Sequence, residues 1–383
     1  MLSLALAILA MSPTMAGPSS VAVHASAAPP PFFTALASNP GTECDGSAIS
    51  GVTHTRASAA YCENSLGVLT SRAVNSPRVS NLGILVEGSR TNLVIRNAEF
   101  DNAAWTKTNT TVTTGQPDPL GGTEADQLTW LGVGALVEST AFVPGQTTGT
   151  ASVWLQNGND GHLARLIVRD TTAGVDRATC SDLLVNGTWT RHSCNATGLT
   201  SGNNHVLRIY YDQDDSGVAP SAWRPQFEAP LANFMTSTID TAGASVIRAI
   251  DVYTFAGSDI STAGCLSATV TFGQSGQFGG GILANGTEKM LGTGTSTTVT
   301  ANDGTNTVTA TVPDLTGRTV NVLAKWSGSS LTVVADGVTA TGSFDGSFSA
   351  TTTMRIGATA AGSGYCNCWV DNIKAGTHPE SCN

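Results

Sequence analysis

Short segments that alternate apolar and polar residues run through most of this chain, and they leave room for little but antiparallel sheet. Between residues 96 and 235 the segments TNTTVTT, ADQLTWL, ALVESTAFV, ASVWLQNG, ARLIVRD, GTWTRHSC, HVLRIYYD and AWRPQFE follow one another. A period of two puts successive side chains on opposite faces of a strand, so each segment buries one face and wets the other. The turn-forming pairs Asn157-Gly158, Asn186-Gly187 and Ser216-Gly217 separate them. About eight such strands suit a jelly-roll β-sandwich. Further on, TVTANDGTNTVTATV turns at Asp303-Gly304 and LTVVADGVTATGSF at Asp336-Gly337, which predicts two hairpins. The expected fold class is all-β, with two consecutive antiparallel β-sandwiches.

The chain has 383 residues, enough for two domains with cores of their own. Charged residues make up 12%, roughly half the usual share, which starves long solvated helices of their outer face. The net charge is −10 and the 18 Lys and Arg are thinly spread. No basic patch can track a phosphate backbone, so nucleic acid is not an expected partner. Residues 1–16, MLSLALAILAMSPTMA, read either as a secretory signal ending in a small-residue site or as an apolar arm that packs into an assembly. The run is too short to span a bilayer. Residues 17–40, rich in Pro, Ser and Ala, form an extended linker. The expected units after it are a leader over 41–95, a jelly roll over 96–251 and a second sandwich over 252–383.

Eight cysteines is an even number, and two pairs flank single loops: Cys44 with Cys62, and Cys180 with Cys194. The rest, Cys265, Cys366, Cys368 and Cys382, lie in the last third, where the pairing stays open. Disulfides in an oxidising compartment are expected. A zinc site competes poorly, because Cys366-Asn367-Cys368 lacks the two-to-four-residue spacer of zinc knuckles and only His378 stands near it.

Four regions carry a resemblance. Gly83 to Trp105, GILVEGSRTNLVIRNAEFDNAAW, resembles the "EGxRTNL" element of a module found in bacteriophage tail and prophage proteins. Trp223 to Asp251, which contains AWRPQFEAP, TSTID and VIRAID, is similar to the pattern that closes the same module. HTRASAAYCENSLGVL, followed by Pro77-Arg78, is similar to the leader that precedes it. The order KWSGSSLTVVADG, MRIGA, VDNIKAG is similar to concanavalin A-like or laminin G-like domains. The resemblance implies a non-catalytic tail-fibre or virion-surface protein that binds cell-surface glycans, contacts other virion subunits and forms a homotrimer. A purely structural virion subunit and a secreted bacterial lectin or adhesin are the alternatives.

Catalytic motifs are missing: no His-Glu-x-x-His, Gly-x-Ser-x-Gly, P-loop or dinucleotide fingerprint occurs. No cofactor is required by any motif. The densest carboxylate group, Asp212, Asp214 and Asp215 before Gly217, offers oxygens for a structural Ca²⁺ or forms a solvated turn. Sugars stack on aromatic faces, and the rings placed to do so are Trp105 and Trp130 near loop ends and Tyr210 and Tyr211, one of which must face outward. Trp154, Trp189 and Trp223 are expected in the core. Glu87, Arg90 and Asn92 lie between the apolar runs GILV and LVI, so they are expected to clamp the leader onto the sandwich.

Overall fold

The computed structural model describes residues 30–31, 33–35, 44, 46–156, 162–185, 187–211, 219–229, 235–258, 260–273, 278–285, 288, 290–348, 353–359 and 364–383. Among them every extended regular element is a β-strand, and the strands form two sandwiches. In the first, one sheet runs Thr190–Thr197, Thr148–Gln156, Ser221–Glu228, Ala125–Trp130, Thr110–Gln116. The facing sheet runs Val175–Val185, His162–Asp170, His205–Tyr211, Ala135–Ser139, Trp105–Thr108. From Ala125 onward, consecutive strands alternate between the sheets except at the hairpin His162–Asp170/Val175–Val185, and the resulting order is that of a jelly roll. The inward residues Leu128, Val137, Val153, Leu166, Leu207 and Phe227 are sealed from solvent between the sheets.

The second sandwich is not confined to the C-terminal third. Its larger sheet runs Val338–Ser343, Ser330–Ala335, Thr319–Ser327, Ala263–Phe272, Cys368–Gly376 and then Gly83–Val86 and Val79–Ser80. Phe33–Ala35 also pairs with Cys368–Gly376. Its smaller sheet begins with Val52–Thr55 beside Val252–Ala256. Residues 41–95 therefore do not form one unit. Strands before the jelly roll complete the sandwich after it, with Ile84 and Val86 buried beside Leu266, Val270 and Val370. The jelly roll is an insertion, and its entry and exit, Arg90–Asn92 and Val246–Arg248, pair antiparallel with each other. The hairpin Ala60–Glu63/Leu69–Arg72 joins neither sheet of that sandwich and lies against the jelly roll, where Tyr61 and Leu69 pack on Trp154 and Trp223.

Both expected hairpins are present. Asn302 pairs with Thr307 across the Asp303-Gly304 loop, and Ala335 pairs with Val338 across Asp336-Gly337. Asp336 and Gly337 have φ of 49° and 78°, the two left-handed residues that a type I′ turn needs. The three other turn pairs lie wholly or partly outside the described residues.

All eight cysteines are paired: Cys44–Cys62, Cys180–Cys194, Cys265–Cys382 and Cys366–Cys368. Cys366 thus has a disulfide partner, and the chemistry of a zinc ligand is closed to it.

Gly83 explains why the seam between the two halves of the second sandwich tolerates no side chain. Its φ is 111°, and a Cβ there would stand 2.6 Å from the Val370 carbonyl oxygen. Gly83→Ala is expected to destabilise the chain by at least about 2 kcal/mol, since either the backbone strain or the clash must be relieved by moving a paired strand. A urea midpoint equal to that of the parent would refute this.

Candidate functional site

The insertion point is held by buried charge. Asp251, at the exit of the jelly roll, accepts from Arg56 Nη1 at 3.0 Å and pairs with Arg78; His54 Nε2 lies 3.2 Å away. Its second oxygen also takes the Glu87 backbone N–H at 3.1 Å. Glu87 pairs with Arg78 and accepts from the Ser237 N–H and hydroxyl, both at 2.7 Å, while Arg248 stands 3.5 Å off. Burial opposes charge on Glu87, but the Arg248 and Arg78 guanidiniums outweigh it and bring its carboxyl down to about 2. Asp251 is likewise held well below the usual carboxylate range, against burial, by Arg78, His54, Arg248 and Arg56. Asn92 stitches the same seam: Oδ1 takes the Val94 and Phe227 N–H groups, and Nδ2 donates to the Ile239 carbonyl at 3.0 Å. The charged turn of the Gly83–Trp105 stretch thus ties the strands around the insertion together, and both oxygens of its carboxylate are engaged by protein donors.

The rings expected to meet sugar are mostly core. Trp105 packs on Phe100 and donates its indole N–H to the Arg96 carbonyl. Trp130 stacks on Tyr211 with centroids 5.7 Å apart, both sealed inside the jelly roll. Trp105, Trp130 and Tyr211 therefore present no face to a ligand. A position near a loop end says where a residue lies along a strand, whereas burial depends on which ring plugs the end of the sandwich. Tyr210 is half-exposed and alternates outward as its neighbour turns in. Trp154 and Trp223 are buried against the leader hairpin, and Trp189 lies half-buried beside them. Asp212, Asp214 and Asp215 lie outside the described residues.

A cavity of about 230 Å³ opens where all the units meet. The leader hairpin contributes Glu63, Asn64 and Leu69; the seam strand contributes Leu82, Leu85 and Glu87. Arg191 and residues 235–238 close it from the jelly roll, and Gly273, Asn367 and Trp369 from the second sandwich. Trp369 is half-exposed and forms part of the lining. Polar groups here are under-satisfied. The Glu63 carboxylate makes no hydrogen bond among the described residues, and burial pushes its carboxyl up, with only Arg191 pulling it back. Arg191 donates to the Thr236 carbonyl at 2.6 Å and to Ser152 Oγ at 3.0 Å, yet among the described residues its Nε has no partner, nor do Asn64 Nδ2 and Trp369 Nε1. Burial also lowers Arg191, opposed by Glu228, Glu63 and Glu87. Buried polar groups are nearly always paired, and three buried atoms without a partner among the described residues gather around this one cavity together with the Glu63 carboxylate. Nothing in the spacing of Glu63, Arg191 and Trp369 along the chain signals that they meet; each comes from a different unit.

No family model and no curated protein matches the chain. Among solved structures it is similar to domains LG4-5 of the mouse laminin α1 chain (12% identity, 76% of this chain and 89% of that one, TM-score 0.25). It is also similar to the CBM22-1–CBM22-2 tandem of Paenibacillus barcinonensis Xyn10C (10%, 76% and 98%, 0.27). An arabinose-bound α-L-arabinofuranosidase matches at 14% identity over 46% of this chain and 31% of its own, TM-score 0.26. Likenesses this slight carry no functional argument. The fold and the site together define a two-sandwich, disulfide-stapled β-protein with a ligand-sized cavity at its insertion point.

Proposed function

We propose that this protein is a non-catalytic glycan-binding protein that works outside the reducing cytosol and seats one neutral sugar ring in the junction cavity. The observation that carries the reading is the Glu63 carboxylate, without a hydrogen bond among the described residues, and the Arg191 guanidinium, whose Nε lacks one there, facing the apolar side chains of Leu82, Leu85, Met235 and Trp369. A ligand with net charge relieves one of the two and opposes the other. A hydroxyl donates to a carboxylate and accepts from a guanidinium at once, and a pyranose adds an apolar face for an indole. Catalysis by the cavity carboxylates is disfavoured because a glycosidase needs a second free carboxylate, and both Glu87 oxygens are already occupied.

The resemblance of Gly83–Trp105 and Trp223–Asp251 to tail modules supports a virion-surface setting, with cell-surface glycan and other virion subunits as partners and a homotrimer as the assembly. Four disulfides favour a second setting, a secreted lectin or adhesin, because chains folded in a cytosol are kept reduced.

A glycan array, run with and without added Ca²⁺, tests the reading. Binding to neutral glycans is expected, with Glu63→Gln and Trp369→Ala each weakening it about tenfold and no reducing ends released from polysaccharide. An array blank in both conditions would leave only the structural-subunit reading.

A further inference from the structure

Three of the disulfides span sequence separations of 14, 18 and 117, whereas Cys366–Cys368 encloses a single residue. The stabilisation that a cross-link lends a fold grows with the length of chain it closes, so this small ring contributes least to folding. Its effect is local. Asn367, the enclosed residue, is left-handed at φ 46° and 1% exposed. Asn is one of the few residues that tolerate that region, and cross-linked neighbours keep it from relaxing into the extended strand that starts at Cys368.

The side chain so aimed reaches the seam. Asn367 Oδ1 accepts the Gly88 backbone N–H at 2.9 Å. Gly88 follows Glu87, which forms one wall of the cavity, and Trp369 lies two residues beyond Asn367 on another. Gly88 is itself pressed against the Tyr365 ring, where a Cβ would stand 3.1 Å away. The ring Cys366–Asn367–Cys368 therefore sits between two walls of one site and is bonded to both.

We propose that the Cys366–Cys368 disulfide is a positioning device for the junction cavity, holding Asn367 left-handed so that the Glu87–Gly88 turn and the Trp369 indole keep the spacing a sugar ring requires. Asn367 is the positioning residue, and the disulfide is what orients it. The claim rests on the reading of the cavity as a sugar site, but the geometry it asserts can be measured without sugar.

The test uses the full chain and three variants: Cys366→Ala/Cys368→Ala, Asn367→Gly, which keeps the left-handed backbone but loses the carboxamide, and Trp369→Phe, which isolates the Trp369 emission by difference. Binding of the methyl glycosides of glucose, galactose, mannose and N-acetylglucosamine is followed by calorimetry, and acrylamide quenching reports the exposure of Trp369. The double cysteine variant is expected to melt close to the parent yet bind about tenfold more weakly, with greater quenching of Trp369. Asn367→Gly is expected to move both readouts the same way, and it decides the matter alone if the cysteine variant does not fold. Parental affinity and parental quenching in the variants would overturn the positioning role while leaving the sugar reading intact. If the parent binds none of the four glycosides, the sugar reading falls; quenching then decides the positioning role by itself, unchanged quenching refuting it and raised quenching sustaining it.

Discussion

Replacing Asp251 by alanine is expected to lower the free energy of unfolding by roughly 3–5 kcal/mol, the cost of leaving buried partners uncompensated. Arg56 and Arg78 both bond to this carboxylate with their side chains fully buried, and Arg248 stands 3.8 Å away. Without it, Arg78 and Arg248 are left to share Glu87, and Arg56 keeps only backbone carbonyls. The effect is expected in urea melts as a fall in midpoint, with loss of both sandwiches together, because the residues concerned come from the leader, the seam and the jelly-roll exit. A change below about 1 kcal/mol would show that the cluster is solvated in solution and the account of the seam is wrong. The same cluster sets a pH dependence. Glu87 titrates at about 2 in the fold against an ordinary 4.5, and Asp251 is shifted in the same direction. Their contribution is whole above about pH 4.5 and is lost as pH falls towards 2. Asp251→Ala is expected to flatten that acid limb as well as lower it.

Removing the Cys265–Cys382 bridge is expected to cost nearly as much. It closes 117 residues of sequence separation, and the loop-entropy estimate for about a hundred residues is roughly 4.7 kcal/mol, with measured removals commonly between about 2 and 5. Cys265 lies in the central strand Ala263–Phe272 and Cys382 in the segment that folds back beneath Cys368–Gly376. Contacts there are close: a Cβ on Gly376 would meet Ser381 Cβ at 2.3 Å. Cys265→Ala/Cys382→Ala is expected to shift the thermal midpoint down by several degrees more than Cys366→Ala/Cys368→Ala. Equal shifts for the two pairs would sink the argument that loop length separates a folding staple from a positioning ring.

Some of the site is legible in the sequence. Glu87, wedged between GILV and LVI, reads as a structural charge because burying it requires partners, and its partners are there. Cys44–Cys62 and Cys180–Cys194 follow from flanking one loop each. The pairings Cys265–Cys382 and Cys366–Cys368 do not, because four cysteines in one region allow three connectivities and only the fold brings Cys382 to Cys265. The sugar candidates Trp105, Trp130 and Tyr211 fail for a related reason. Alternation tells which neighbours share a face, as it does for Tyr210 against Tyr211, but an indole at the end of a strand is buried or bare according to what covers that end.

What the amino-acid order determined alone was local: strand segments from their period of two, type I′ chemistry at Asp336-Gly337, the all-β class, and the burial of the seam charges. Tertiary structure decided destination. The strands Val52–Thr55, Val79–Ser80 and Gly83–Val86 carry the same pattern whichever sheet they join, since a ladder is specified by backbone hydrogen bonds common to all sequences. Their union with residues 252–376, across an inserted jelly roll, is what brings Glu63, Arg191, Asn367 and Trp369 around one cavity. A site assembled from three units has no signature in any one of them, because the contacts that create it are made between units far apart in the chain.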